Sequence, residues 1–380
     1  MKIGRVVRIL EDTSRKEIFG KTDENRKVII SIFYPVDENY KIEKEAFYKD
    51  LYDPKQDEFI NDFKRVVNKE NEDEKEDFLN NLKINIYNDM PICREDKQYP
   101  VIIHCTGLGC SRDYMTFNTE ALVENGYIVV TIEHIHDSML SVFPDGTIIR
   151  CKDEEFTQEE KLQLIDIRLK DISFVIDELF HINDNDEMLK GKFNLDLIGI
   201  SGHSLGGAAT FKSCIVDSRI KAMILYDASL QFFDVESELK KRKRLKTPVL
   251  NFRREDFGYS ESMKGFLDFA KKAFEPEKFK EQTLVYDKVL RDSEKNQNLL
   301  YKYLSGYKSF IKLKGATHMT FSDYYTLTGN KMENNNLSVE EAHKCINTVS
   351  VNFFDEFLLD KKGNYSELKE GKLDCITKVD

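Results

Sequence analysis

Three things are scarce in this chain of 380 residues, and each scarcity excludes a class of function. No long uncharged apolar run occurs, so no segment reads as a membrane-spanning helix. The opening stretch, Met1 to Asp12, breaks its apolar residues with charges and reads as neither a signal peptide nor an anchor. Basic residues are outnumbered, 57 Lys and Arg against 68 Asp and Glu, for a net charge of −11. A nucleic-acid partner is therefore excluded, since no basic excess exists to displace counterions from phosphates, and there is no general pull toward anionic membranes. The seven cysteines are odd in number and show no Cys-x-x-Cys spacing. They suit reduced thiols in a cytoplasm better than a disulfide framework or a zinc site. What is present is a 41% hydrophobic share, ample for a large core, beside a 33% charged share that implies a heavily solvated surface.

Apolar strand-like runs alternate with helical patterns. Val28–Tyr34 ends at Pro35 and reads as a strand paired with Arg5–Leu10. Val101–Cys105, Tyr127–Ile132, Leu195–Ile200, Ala222–Tyr226, Val249–Phe252 and Phe310–Leu313 follow as buried strands. Thr157 and Ser338, each with Glu three residues on, form capping boxes that open long amphipathic helices. Such alternation implies an α/β fold with a mostly parallel central sheet flanked by helices. Sites in these sheets lie beyond the carboxyl ends of the strands. Gly107, Glu133, Ser204, Asp227, Asp256 and His318 all stand just after apolar runs and should converge there.

The organising stretch is Leu195–Gly207. Its Gly202-His203-Ser204-Leu205-Gly206 lies between a predicted strand and a predicted helix, the context in which G-x-S-x-G is a nucleophile elbow. A serine nucleophile needs a base, usually histidine, oriented by a carboxylate, and the chain order here should be Ser, acid, His. Only two histidines follow Ser204. His343 falls inside the predicted C-terminal helix, whereas His318 follows the last strand in a loop and is the better base. For the acid, Asp227 and Asp256 both end strands. Asp227 is favoured, because Arg253-Arg254-Glu255-Asp256 reads as solvated, mutually neutralising charge. The oxyanion donors should be the N–H of Leu205, after the serine, and that of Leu108 in the Gly107-Leu108-Gly109 turn.

With these motifs in place, the chain resembles the platelet-activating-factor acetylhydrolase family of α/β-hydrolases. The likeness rests on Gly202–Ala208, on Tyr99–Gly109, on Gly126–His134, on Asp227-Ala228, and on His318 with Phe321-Ser-Asp323. It spans roughly Val28 to Tyr325. It implies an α/β-hydrolase fold, Asp227 as triad acid, Leu108 and Leu205 as oxyanion donors, and cleavage of short or oxidised acyl chains from phospholipids without calcium. One departure is Cys105-Thr106, where the family usually has His before Gly-Leu-Gly; the support of the oxyanion loop is therefore altered.

The expectation is one α/β-hydrolase domain over 1–359, with charged helical inserts at about 37–97 and 260–305 forming a lid or cap, and a polar loose tail from 360 to 380. It would be a metal-independent serine ester hydrolase with no cofactor, acting on small-molecule or short-acyl lipid esters, without stable membrane insertion. A broad short-chain carboxylesterase or deacetylase, and a non-catalytic binder of the same fold, are the rivals. Glu133, His134 and His203 are candidates for a supporting role beside the elbow. Glu133-His134-Ile135-His136-Asp137 reads as that rather than as a metal cluster, since adjacent strand-end positions rarely share a face. Lys240–Arg244 reads as a solvated helix end rather than a lipid dock, and the Phe266, Leu267, Phe269, Phe274, Phe279 group as packing of an inserted helix pair.

Overall fold

The computed structural model describes residues 1–20, 23–37, 39–42, 44–66, 72–152, 154–232, 234–240, 245–329, 337–371 and 373–379. Ten strands form its main sheet: β1 (Ile3–Lys16), β2 (Asn25–Pro35), β3 (Ile86–Asn88), β4 (Tyr99–Cys105), β5 (Ile128–Glu133), β6 (Phe193–His203), β7 (Ile220–Tyr226), β8 (Val249–Arg254), β9 (Lys308–Leu313) and β10 (Ile376–Lys378). Their spatial order is β10-β9-β8-β7-β6-β4-β5-β2-β1-β3. From β5 through β9 every pairing is parallel, while β2 runs antiparallel to both β1 and β5.

The principal helices are α1 (Gln56–Val66), α2 (Glu72–Asn81), α3 (Thr116–Glu124), α4 (Gln158–Asn185), α5 (Ser204–Val216), α6 (Tyr259–Ala273), α7 (Pro276–Tyr303), α8 (Val339–Leu359) and α9 (Asn364–Glu370). Both predicted capping boxes are present, at Thr157 on α4 and Ser338 on α8. Alternate residues of each strand face opposite sides. Val101, Ile103 and Cys105 join the apolar cluster that α4 and α5 cover. Ile102 joins the one beneath α3 and α8. Burial on both faces is why these strands read as unbroken apolar runs. This is the mostly parallel, helix-flanked sheet expected of an α/β-hydrolase.

Three expectations change. The 37–97 region, expected as a charged insert, also contributes apolar residues to the core. Tyr48, Leu51, Phe59, Ile60 and Phe63 are buried in the α3–α8 core, with Tyr52 stacked on Phe59 at 3.9 Å. The stretch from Asp360 is not a loose tail either. It forms α9 and then β10, which adds antiparallel to the edge of the sheet and buries Tyr365. Nor are all the cysteines reduced, because Cys345 on α8 is disulfide-bonded to Cys375, which stitches that last segment to the core. Cys93, Cys105, Cys110, Cys151 and Cys214 are free thiols. Of the Lys240–Arg244 run, Lys241–Arg244 lie outside the described residues, as does Val67 of the first insert; so does the Phe269 side chain. No described helix is long and apolar enough to cross a membrane.

Candidate active site

The strand–turn–helix at β6–α5 sets the position of Ser204. The strand ends at His203, and Ser204 takes a left-handed backbone with φ of 54° before the helix begins. A non-glycine residue in that region is strained and persists only where its surroundings fix it. Two glycines permit the turn by close approach: a Cβ on Gly202 would strike the Gly206 backbone, and one on Gly206 would strike the carbonyl oxygens of Cys105 and Thr106.

Three strand ends then meet. His318, in the first turn after β9, accepts at Nε2 from the Ser204 hydroxyl at 3.0 Å. Its Nδ1–H donates to Asp227 Oδ2 at 2.5 Å. Asp227 follows β7 with φ of 40° and is buried, whereas the His318 side chain is 38% exposed. The arrangement offers a hydroxyl, a ring that can take its proton, and a carboxylate that fixes the ring. Asp256 does not compete for that place. Its side chain is 55% exposed and pairs with Arg254.

Arg253 and Arg254 are a correction to the sequence reading, which left them solvated. Arg253 is buried, donates to the Ala228 carbonyl at 2.6 Å and lies 3.5 Å from Asp227. Arg254 Nη1 donates at 2.7 Å to Oδ2 of Asp227, the oxygen that His318 also uses. Burial alone would raise the Asp227 carboxyl. Arg254, His318 and Arg253 overcome it and hold the group well below the usual carboxylate range. Asp227 is thus ionised throughout the neutral range.

The candidate oxyanion donors lie across the serine from this pair of arginines. Leu205 is in the first turn of α5, where N–H groups have no intrahelical acceptor. In the Gly107–Gly109 turn, Gly109 N–H donates to the Asp137 carbonyl at 2.8 Å. Among the described residues nothing accepts from the Leu108 N–H.

The other expected residues go to separate places. His203 packs its ring on that of His318, centroids 4.6 Å apart, and its Nε2–H donates to the His318 carbonyl at 2.9 Å. Burial and then the neighbouring His318 bring its pKa down to about 3, so it stays neutral. Glu133 pairs with Arg112 and His134 with Asp171. Among the described residues neither hydrogen-bonds Ser204, Asp227 or His318. Asp137 pairs with Arg168, so the Glu133–Asp137 run divides among three partners. His343 is buried inside α8 and stacked on Phe117 at 3.6 Å.

A cavity of about 690 Å3 opens on the acid side of the site, with Asp227, Arg254, Asp256, Tyr286, Ser293 and His318 in its walls. Helices α6 and α7 contribute Tyr259, Ser262, Tyr286 and Glu294 to its walls. Ser204 itself is not part of the lining.

A profile for "Platelet-activating factor acetylhydrolase, isoform II" matches residues 15–178 and 169–372, nearly the whole chain. The chain belongs to this family. A "Probable 1-alkyl-2-acetylglycerophosphocholine esterase" of Arthroderma benhamiae is 28% identical over 146 residues, 38% of this chain and 35% of that protein. A "Platelet-activating factor acetylhydrolase" of Cavia porcellus is 24% identical over 306 residues, 72% of this chain and 62% of that one. The chain therefore spans about a third to three fifths of the length of these curated relatives. A solved structure, "Ferulic acid esterase from Streptomyces cinnamoneus", superposes over 100% of this chain and 96% of its own with a TM-score of 0.72 at 20% identity, a likeness of fold alone.

Arg168, Arg253 and Arg254 are the site neighbours that sequence reasoning missed. A signal for Arg168 was there. It falls on the helical stripe with Leu164, Ile165, Ile172 and Val175, and a charge in that phase of an amphipathic helix needs a buried partner.

Proposed function

We propose that this chain is a serine carboxylic-ester hydrolase that cleaves short-chain acyl esters through an acyl-enzyme on Ser204. The observation carrying this reading is the continuous chain of hydrogen bonds from Ser204 through His318 to an ionised Asp227, beside an N–H at Leu108 with no acceptor among the described residues. Ser204 Oγ attacks the acyl carbonyl as His318 Nε2 takes its proton. The N–H groups of Leu108 and Leu205 receive the negative oxygen of the tetrahedral intermediate. His318 returns the proton to the leaving alcohol, and Asp227 holds the imidazolium between the two transfers. Water then repeats the sequence to release the acid.

The names of the Arthroderma and Cavia relatives support an acetyl group on a glycerophosphocholine ether as substrate, and hence lipid degradation. The cavity's polar walls, with Arg254, Glu255, Asp256 and Glu294, favour a second reading: a broad short-chain carboxylesterase with no phospholipid preference. The proposed compartment is the cytoplasm, on the five free thiols; the Cys345–Cys375 bond pulls the other way, and fractionation of the native protein decides.

The test has two parts. A fluorophosphonate probe should add once, to the peptide carrying Ser204, and Ser204→Ala should be folded and unlabelled. A folded wild type that takes no label would falsify the hydrolase reading. A panel of acetyl, butyryl, octanoyl and palmitoyl esters of one alcohol should show kcat/KM falling with length. Equal rates on acetyl phospholipid and simple acetyl esters would favour the second reading.

A further inference from the structure

The turn that presents the Leu108 N–H is held by a side chain from the opposite layer of the fold. Arg168 projects from α4 and is fully buried. Its Nε and Nη2 grip both oxygens of Asp137, each at 2.7 Å. The remaining donors reach the backbone of the turn: Nη1 to the Thr106 carbonyl at 2.5 Å, and Nη2 to the Gly107 carbonyl at 3.3 Å. Asp137 closes the loop from the other side, since its own carbonyl accepts the Gly109 N–H at 2.8 Å. The Gly109 carbonyl in turn accepts from Met139 N–H at 3.2 Å. The Gly107 carbonyl, which also accepts from Cys110 N–H at 3.2 Å, and both backbone polar groups of Gly109 are thereby fixed, while the Leu108 N–H is left without an acceptor among the described residues.

We propose that Arg168, anchored by Asp137, is a positioning residue that aims the Leu108 N–H at the oxyanion. The proposal rests on the ester-hydrolase reading. It also accounts for Cys105-Thr106 standing where a histidine was expected, because the support that a side chain before the turn would give comes from α4 instead. The guanidinium is suited to this by geometry. A planar fork with five donors can span a carboxylate and two carbonyls at once, which a lysine ammonium cannot do in one position. A turn pinned at two successive carbonyls needs little reorganisation as charge develops, and that is the property an oxyanion donor requires. Removing Arg168 would take its donor from the Thr106 carbonyl and leave the Gly107 carbonyl to the Cys110 N–H, at 3.2 Å, so that the turn, and the Leu108 N–H with it, could shift.

The experiment compares wild type, Arg168→Lys and Asp137→Asn, with Arg26→Lys as a control. Arg26 belongs to a neighbouring buried ion pair, with Asp171, that touches neither the turn nor the triad candidates. Each is assayed on an acetate ester and on the corresponding thionoacetate, in which sulfur replaces the carbonyl oxygen. Sulfur is a weak hydrogen-bond acceptor, so a well-aimed hole favours the oxygen ester and a misaimed one loses that preference. For Arg168→Lys the expected result is a fall in kcat of roughly 10- to 100-fold on the oxygen ester, as for a misplaced oxyanion donor. KM should change little, and the oxygen-to-sulfur rate ratio should fall about tenfold, since only the oxyanion-dependent part is lost. Asp137→Asn should shift the ratio the same way, and Arg26→Lys should lose stability at most. An unchanged ratio in a folded Arg168→Lys enzyme overturns the proposal, and so does loss of folding in both loop variants, which would make the pair purely structural. A wild type with no ester turnover and no probe labelling overturns the hydrolase reading instead.

Discussion

The two flanks of Ser204 use charge in opposite ways. On the oxyanion side the ions are sealed. Arg168 with Asp137, Arg26 with Asp171 and His134, Arg112 with Glu133, and Arg5 with Asp113 are all buried among β1, β2, β4, β5 and α4. On the acid side Asp227 is the buried carboxylate among the described residues lining the cavity, and the charges around it step outward to solvent through Arg254, Glu255 and Asp256. Burying a charge pair costs desolvation that its Coulomb attraction repays only with good geometry, so such pairs are poor devices for stability and better ones for fixing a conformation. The difference teaches that the sealed flank holds backbone in place, where the requirement is the same for any ester. On the proposed reaction the open flank faces the space for a leaving group or acyl chain, and its polarity is free to differ with substrate.

The largest expected effect tests the one buried carboxylate of the open flank. Asp227→Asn should lower kcat by about 10³ to 10⁴, because the amide cannot hold the tautomer in which Nε2 accepts the serine proton. The check is steady-state turnover on an acetate ester, with circular dichroism to show a native fold. A loss below tenfold would mean that the flank's acid lies elsewhere.

The open flank was also the harder one to read from sequence. The elbow, the three strand ends and both capping boxes were legible, because each is fixed by local chemistry: small residues at a tight turn, unbroken apolar runs, Ser or Thr three residues before Glu. Arg253 and Arg254 were not. Two adjacent cations followed by two anions look self-neutralising, and only the extension of β8 to Arg254 shows that the two arginines lie in the sheet beside Asp227. The last segment was illegible for a different reason. Ile376–Lys378 is a three-residue strand, too short for periodicity, and its partner β9 lies more than sixty residues earlier. Its disulfide joins residues with no recognisable spacing. Glu133 and His134, expected beside the elbow, pair instead with Arg112 and Asp171 from other elements, which no local pattern reveals.

A smaller effect is expected for Arg254→Met, which removes the cation sharing Oδ2 with His318. The carboxylate would be less firmly seated, so kcat should fall by roughly three- to tenfold, less than the cost of a full ångström of misplacement. Stability carries a pH signature. The Asp227 pKa is depressed in the folded state, so its ionisation stabilises the protein above the unfolded carboxyl value, and that contribution is lost as pH falls through the folded value. Arg254→Met raises the folded value and shrinks the contribution. Denaturant midpoints of the two proteins should therefore differ most above about pH 5 and converge as the medium is acidified. A gap that stays constant down to the acid limit would mean that Arg254 acts by packing and not through the Asp227 charge.

The smallest effect should come from Asp256→Asn, and it is the sharpest separation of the two carboxylates on that flank. Asp256 touches the site only through Arg254 Nε, at 2.7 Å, and more than half of its side chain is in water. An exposed ion pair of this kind contributes about 0–1 kcal/mol and is screened by salt. Its loss leaves the Arg254 side chain two hydrogen bonds among the described residues, to Asp227 through Nη1 and to the Ser262 hydroxyl through Nη2, and these fix the guanidinium plane without it. Turnover on a neutral acetate ester should consequently stay within about twofold of wild type, the range expected of an exposed pair. Because Asp256 lines the cavity, charged substrates are the informative ones. An ester bearing a carboxylate should gain, and one bearing an ammonium should lose, each by a few-fold in KM and less at high salt, as for a screened surface charge. Assays of the neutral, anionic and cationic acetate esters at low and high ionic strength read all three outcomes. Identical KM values for the two charged esters in wild type and variant would show that substrate does not enter this cavity.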